Sequence, residues 1–100
     1  MELLDLATAQ QSTFAAWVGQ SFKLPGGNIP VTLELVACRP SGPPWPGGSR
    51  DPFTLDFRGI PGLRLPQQIY RFENENVAFE IFICQVADGP NGSEFEAVFA

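Results

Sequence analysis

One hundred residues make room for a single core of ordinary size and no more. With 44% hydrophobic residues against 17% charged, and nine phenylalanines, the chain lies on the globular side of the boundary with disorder. The net charge of −5 argues against nucleic acid and anionic membrane surfaces as partners, because polyanion binding draws its affinity from lysines and arginines that displace counterions.

Thr8 followed by Gln11 has the spacing of a capping box. Phe14, Trp17 and Val18 fall at i, i+3 and i+4, and Gly19 stands where a left-handed residue ends a helix. This predicts one short helix over residues 9–18, with an apolar face so narrow that it must lie on a sheet. A short strand over 20–24 is closed by Pro25, Gly26, Gly27 and Asn28. Pro30 admits a second strand over 31–38, with Val31, Leu33, Leu35 and Ala37 on one face. Val36 and Cys38 make its far end apolar on both sides. Residues 39–52 hold Pro40, Gly42, Pro43, Pro44, Pro46, Gly47, Gly48 and Pro52, a composition that defeats helix and ladder alike and reads as a loop.

A third strand over 53–58 alternates Phe53, Leu55 and Phe57 with Thr54, Asp56 and Arg58. A turn over 59–62 and the stretch 63–65 lead to Pro66, and a fourth strand follows over 68–73. Asn74, Glu75 and Asn76 turn tightly into the longest strand, 77–87. Residues 88–93, with Asn91 and Gly92 suited to positive φ, reverse the chain into a last strand over 94–99. The last three strands read as an antiparallel meander. The expected fold is mainly β: a six-stranded antiparallel barrel or two-layer sandwich with one short N-terminal helix, forming a single domain over 1–100. Closure is favoured because residues 77–86 are apolar on both faces, Phe79, Ile81 and Ile83 on one and Ala78, Phe82, Cys84 and Val86 on the other.

No run approaches the roughly 18 apolar residues of a membrane span, and the start carries Glu2 and Asp5 where a secretory signal needs positive charge. A cytoplasmic chain is expected. Cys38 and Cys84 then read as two core thiols in preference to a disulfide or a reactive pair. Two thiols without an imidazole do not make a zinc site, and neither a metal nor another cofactor is expected.

The ordered series of Phe14, Val18, Gly19, Gln20 and Phe22, then Leu33 to Leu35, Pro52 to Leu55, Phe57 to Gly59, Leu65 to Gln67, Ile69 to Arg71, Phe79 to Ile83 and Phe95 to Phe99 resembles a family of small bacterial proteins catalogued as a domain of unknown function. The resemblance covers nearly the whole chain. It implies a compact β-rich domain with no established activity, substrate or cofactor, and a setting beside phage-tail-like fibre or collar components. The long loop over 41–49 with Trp45, and the two cysteines, depart from that pattern.

Trp45, framed by Pro43, Pro44 and Pro46, loses little freedom on docking, so Pro44, Trp45 and Pro46 are the candidate partner-binding residues. The other reading folds Trp45 back as a plug for an open barrel end. Glu73, Glu75, Glu80, Asp88, Glu94 and Glu96 have the spacing of a solvated sheet face, not of a catalytic pair or a calcium loop. Ser12, Thr13, Ser21, Ser41, Ser49 and Ser93 have no histidine to activate them. Lys23 reads as an edge-strand lysine pointing to solvent. Arg58, Arg64 and Arg71 read as cross-sheet partners of acids such as Asp56 and Glu73 before they read as an anion site. The expected function is a non-enzymatic interaction or assembly module, binding a protein partner or copies of itself. The alternative is a small-ligand-binding barrel lined by Phe53, Phe57, Tyr70 and Phe82.

Overall fold

A computed structural model describes residues 3–27, 30–43, 46 and 51–99. After a one-turn helix α1 (Gln11–Ala15) come six strands, β1 (Ser21–Leu24), β2 (Val31–Pro40), β3 (Phe53–Gly59), β4 (Gln68–Glu73), β5 (Ala78–Gly89) and β6 (Gly92–Phe99). They close into a barrel in the order β1-β2-β3-β6-β5-β4, with every neighbouring pair antiparallel. The strands follow the period-two alternation: Phe53, Leu55 and Phe57 of β3, Phe79, Ile81 and Ile83 of β5, and Phe95, Ala97 and Phe99 of β6 are all buried.

The ring order sets β3 and β4 on opposite sides of the barrel, so the chain between them must cross the lower mouth. Residues 60–67 form that floor. Gln85 points inward opposite Phe95 and grips the floor, its Nε2 donating to Leu63 O at 2.8 Å and its Oε1 accepting from Leu65 N–H at 3.1 Å. The buried Ser93 hydroxyl donates to Ile60 O at 2.9 Å, and Gly62 N–H donates to Asp88 Oδ1 at 3.0 Å. Crossing a mouth costs backbone hydrogen bonds, and these side chains restore them.

The upper mouth is stopped by α1. Phe14 is fully buried, with its ring centroid 5.4 Å from those of both Phe79 and Phe99 and 5.8 Å from that of Phe53. Beneath it a continuous stack of rings fills the interior: Phe53 on Phe99 at 4.6 Å, Phe72 on Phe79 at 5.3 Å, Phe57 against Phe72 at 4.8 Å and Phe22 against Phe79 at 5.3 Å. Each such side chain contributes roughly 2–3 kcal/mol by leaving water. The helix therefore caps the barrel end and does not lie on a sheet face.

The Thr8–Gln11 capping box does not form, because the Thr8 hydroxyl donates back to Asp5 O at 3.3 Å. The helix starts at Gln11, where the Thr13 hydroxyl accepts from Gln10 N–H at 3.2 Å. Gln11 instead ties α1 to β2: its Nε2 donates to Cys38 O at 3.4 Å and its carbonyl accepts from Cys38 Sγ at 3.5 Å. A register shift between Leu35 and Ala37 inserts Val36 as a bulge, so Ala37 faces outward opposite Asp56 and Cys38 turns inward opposite Leu55. A second shift, between Gln85 and Ala87, puts Val86 outside. Phe82 is also outside and half exposed, so β5 is not covered on both faces. The helix expected over 9–18 stops at Ala15 with Ala16 as its C-cap, so Gly19, at φ +94, ends the turn that follows and not the helix. Asn91 does not have positive φ; Gly92 alone takes it in its turn.

The turn between β4 and β5 is built on one side chain. Asn74 Oδ1 accepts from the N–H groups of Asn76 and Val77 at 2.9 and 3.0 Å, while its Nδ2 donates to Gln20 Oε1 at 3.1 Å. Asn74→Ala is expected to lower stability by about 1–2 kcal/mol, read as a shift in the urea midpoint with unchanged slope.

Candidate functional site

With the interior filled and both mouths stopped, the groups open to a partner are those of the outer wall and of the one weak joint in the ring. Arginines on the wall and floor sit beside acids, some across strands and Arg71 with Glu73 on its own strand. Arg39 of β2 donates to Asp56 of β3 at 2.7 Å and to Glu96 of β6 at 3.2 Å, which pushes its guanidinium still further toward the charged form, Asp56 foremost. Arg71 meets Glu73 at 3.0 Å and Arg64 meets Asp88 at 3.9 Å, while Arg58 stands in register between Glu34 and Glu94. Arg58, Arg64 and Arg71 thus lie beside acids on separate strands and do not converge. Of the acids expected as cross-sheet partners, Asp56 is taken by Arg39, and Glu73 meets Arg71 along its own strand and not across the sheet. Surface pairs of this kind contribute little to stability.

The weak joint lies between β1 and β4, which meet in one registered pair, Lys23 with Glu73. Lys23 is exposed as expected, but on a strand that closes the ring and not on a free edge. Two clefts flank the pair. The upper, about 580 Å³, is lined by Gln20, Ser21, Lys23, Thr32, Glu73 and the 74–76 turn. The lower, about 260 Å³, lies between the β1–β2 turn and the start of β4, with Leu24, Val31, Leu65, Ile69 and Tyr70 among its walls. Beside it Ile69 and Phe82 are paired in register on the outer face, 66% and 51% exposed. This exposed cross-strand pair is an apolar handle on the outer wall, where Val86 of β5 and Val98 of β6 are exposed as well.

Both thiols are free. Cys38 packs against the core as expected, whereas Cys84 is on the outer face, its Sγ donating to Gln67 Oε1 at 3.5 Å. Among the described residues no cluster of cysteine and carboxylate side chains forms a metal-binding group, and no helix is long and apolar enough to cross a membrane. Of the serines, Ser93 is buried and holds the floor, while Ser12, Ser21 and Ser41 are exposed; Ser49 lies outside the described residues. Pro44 and Trp45 also lie outside them, and Pro46 is an exposed turn residue. Trp17, not singled out from sequence for this role, packs edge-on against Phe14 at 5.5 Å over the upper mouth.

A model of the family described as Domain of unknown function (DUF6916) matches residues 9–99, from the start of the upper plug to the end of β6. The chain belongs to that family. The match takes in the plug, the floor and all six strands, so the closed barrel coincides with the family's extent. No curated protein and no solved structure matches the chain.

Burial, and secondarily the charge of Asp56, pushes the Cys38 thiol up from its ordinary range. The fold therefore prefers the protonated thiol. Its contribution is complete below the ordinary thiol pKa, about 8.5, and is lost as pH rises through the higher folded value. Stability is expected to fall above about pH 8.5 in the native chain and to fall less in Cys38→Ala, measured as urea midpoints across the alkaline range. Tyr70, also raised by burial, adds a second decline above about pH 10 in both chains.

Proposed function

We propose that this protein is a non-enzymatic interaction or assembly module, a rigid barrel whose outer wall and joint bind a protein partner or further copies of the chain. The observation that carries the reading is the distribution of side chains. Rings fill the inside, charged groups sit outside, several of them in ion pairs, and Ile69 and Phe82 stand exposed beside the lower cleft. The setting suggested by the resemblance is a phage-tail-like or fibre assembly, and the reading places the protein in the cytoplasm, where Cys38 and Cys84 stay reduced.

The small-ligand reading is less well supported. Of its four lining residues, Phe53 and Phe57 are locked in ring contacts, Tyr70 donates its hydroxyl to Pro66 O at 2.7 Å, and Phe82 faces solvent. The test is co-purification of the tagged chain from its native lysate together with light scattering. A stoichiometric protein partner or a defined oligomer is the expected result. A monomer that retains no polypeptide would overturn the proposal.

A further inference from the structure

β1 is four residues long, and Pro25 and Gly26 turn the chain away from the ring while β4 runs on for six. Below the Lys23–Glu73 pair, β4 keeps β5 in register on one side, from Gln68 opposite Ile83 to Phe72 opposite Phe79. On its other side no strand of the described residues pairs with it, and no loop of those residues offers it a backbone hydrogen bond. Alternate residues of a strand turn their N–H and C=O groups to opposite edges. The stretch from Gln68 to Phe72 therefore presents a row of backbone donors and acceptors to the lower cleft. Such an edge is a template for another extended chain.

We propose that this joint takes an extended segment of a partner protein, added to β4 as a further strand. This rests on the reading of the protein as an interaction module and names its binding site and the chemistry of its ligand. The open stretch of β4 is about 17 Å long at roughly 3.4 Å per residue, the length of a five-residue segment. Leu24, Val31, Leu65 and Tyr70 form apolar walls, which fit apolar side chains at alternate positions of the guest. The flanks fit lysine or arginine. Glu73 and Glu75 lie at the upper end and Glu80 on the neighbouring strand, three acids against the two cations Lys23 and Arg71, which meet Glu73 as register partner and ion pair, and the whole chain carries −5. A second copy would bring the same negative charge to the joint, so a basic segment of a different protein is the better fit.

The test is selection of the intact protein against a displayed library of random peptides about seven residues long, followed by amide exchange on the free and peptide-bound protein. Selected peptides should alternate apolar residues with lysine or arginine. They should slow alternate amides within residues 68–72 by about tenfold or more, and N-methylation of the guest's alternate amides should weaken binding by at least about tenfold. The proposal fails if no peptide is enriched, if the slowed amides lie elsewhere, or if the 68–72 edge is already protected in the free monomer. It also fails if that edge becomes protected only as the chain dimerises. A native protein partner that still co-purifies in any of these cases would sink the joint alone and leave the interaction module standing.

Discussion

Phe14→Ala is expected to lower the stability of the barrel by about 3–5 kcal/mol, the range for emptying a fully buried aromatic site. Domains of this size are stable by only about 5–15 kcal/mol, so most of the margin goes, and the melting temperature should drop by roughly 15–30 °C. The reason is position. Phe14 is the one large side chain that α1 buries, and its ring contacts three rings from three different strands together with Trp17. A helix of five residues has no stability of its own, so losing that ring releases the helix and opens the upper mouth. Val18→Ala removes an exposed side chain three residues past the helix and should change stability by less than about 0.5 kcal/mol. Urea unfolding followed by tryptophan fluorescence separates the two, because Trp17 sits on the Phe14 ring.

Gly92→Ala is the second large effect, expected at about 2–5 kcal/mol. Gly92 has φ +136, where L side chains are strained, and a Cβ there would lie 2.7 Å from the carbonyl oxygen of Gly59 and 3.0 Å from Arg58 Cγ. The first obstacle is backbone and cannot swing aside. Gly62→Ala is the matched control, with φ +84 and nothing within 4 Å of the added carbon. It should cost only the conformational part, about 1–2 kcal/mol. If the two variants unfold at the same urea concentration, the close approach of β6 to β3 at the floor is not as described.

The strands were legible because alternation is a local property. Phe53, Leu55 and Phe57, or Phe95, Ala97 and Phe99, declare their face with no knowledge of what lies opposite. Bulges were not legible: in the run Val36, Ala37, Cys38 every residue is tolerable inside or out, so an inserted residue leaves no break in the pattern. At Gln85 and Val86 the pattern did carry a signal, a polar residue at an inward position followed by an apolar one outside, but its meaning depends on the floor that Gln85 binds. Ring order is a non-local property, and with it the crossing of residues 60–67 beneath the barrel. The joint between β1 and β4 had a partial trace in the sequence. A strand that ends at Leu24 before Pro25 and two glycines cannot flank six residues from Gln68 to Glu73. Seeing that these two strands are neighbours required the fold.

The central claim, an interior occupied by its own rings so that binding falls to the outside, is tested most directly by recording side-chain NMR spectra of the protein under increasing xenon pressure. Xenon enters apolar cavities without needing polar contacts. The signals of Phe22, Phe57, Phe72 and Phe79 are expected to stay in place across the titration. Saturable shifts of those four rings would reveal a vacant chamber at the centre of the barrel and return the ligand-carrier reading to first place.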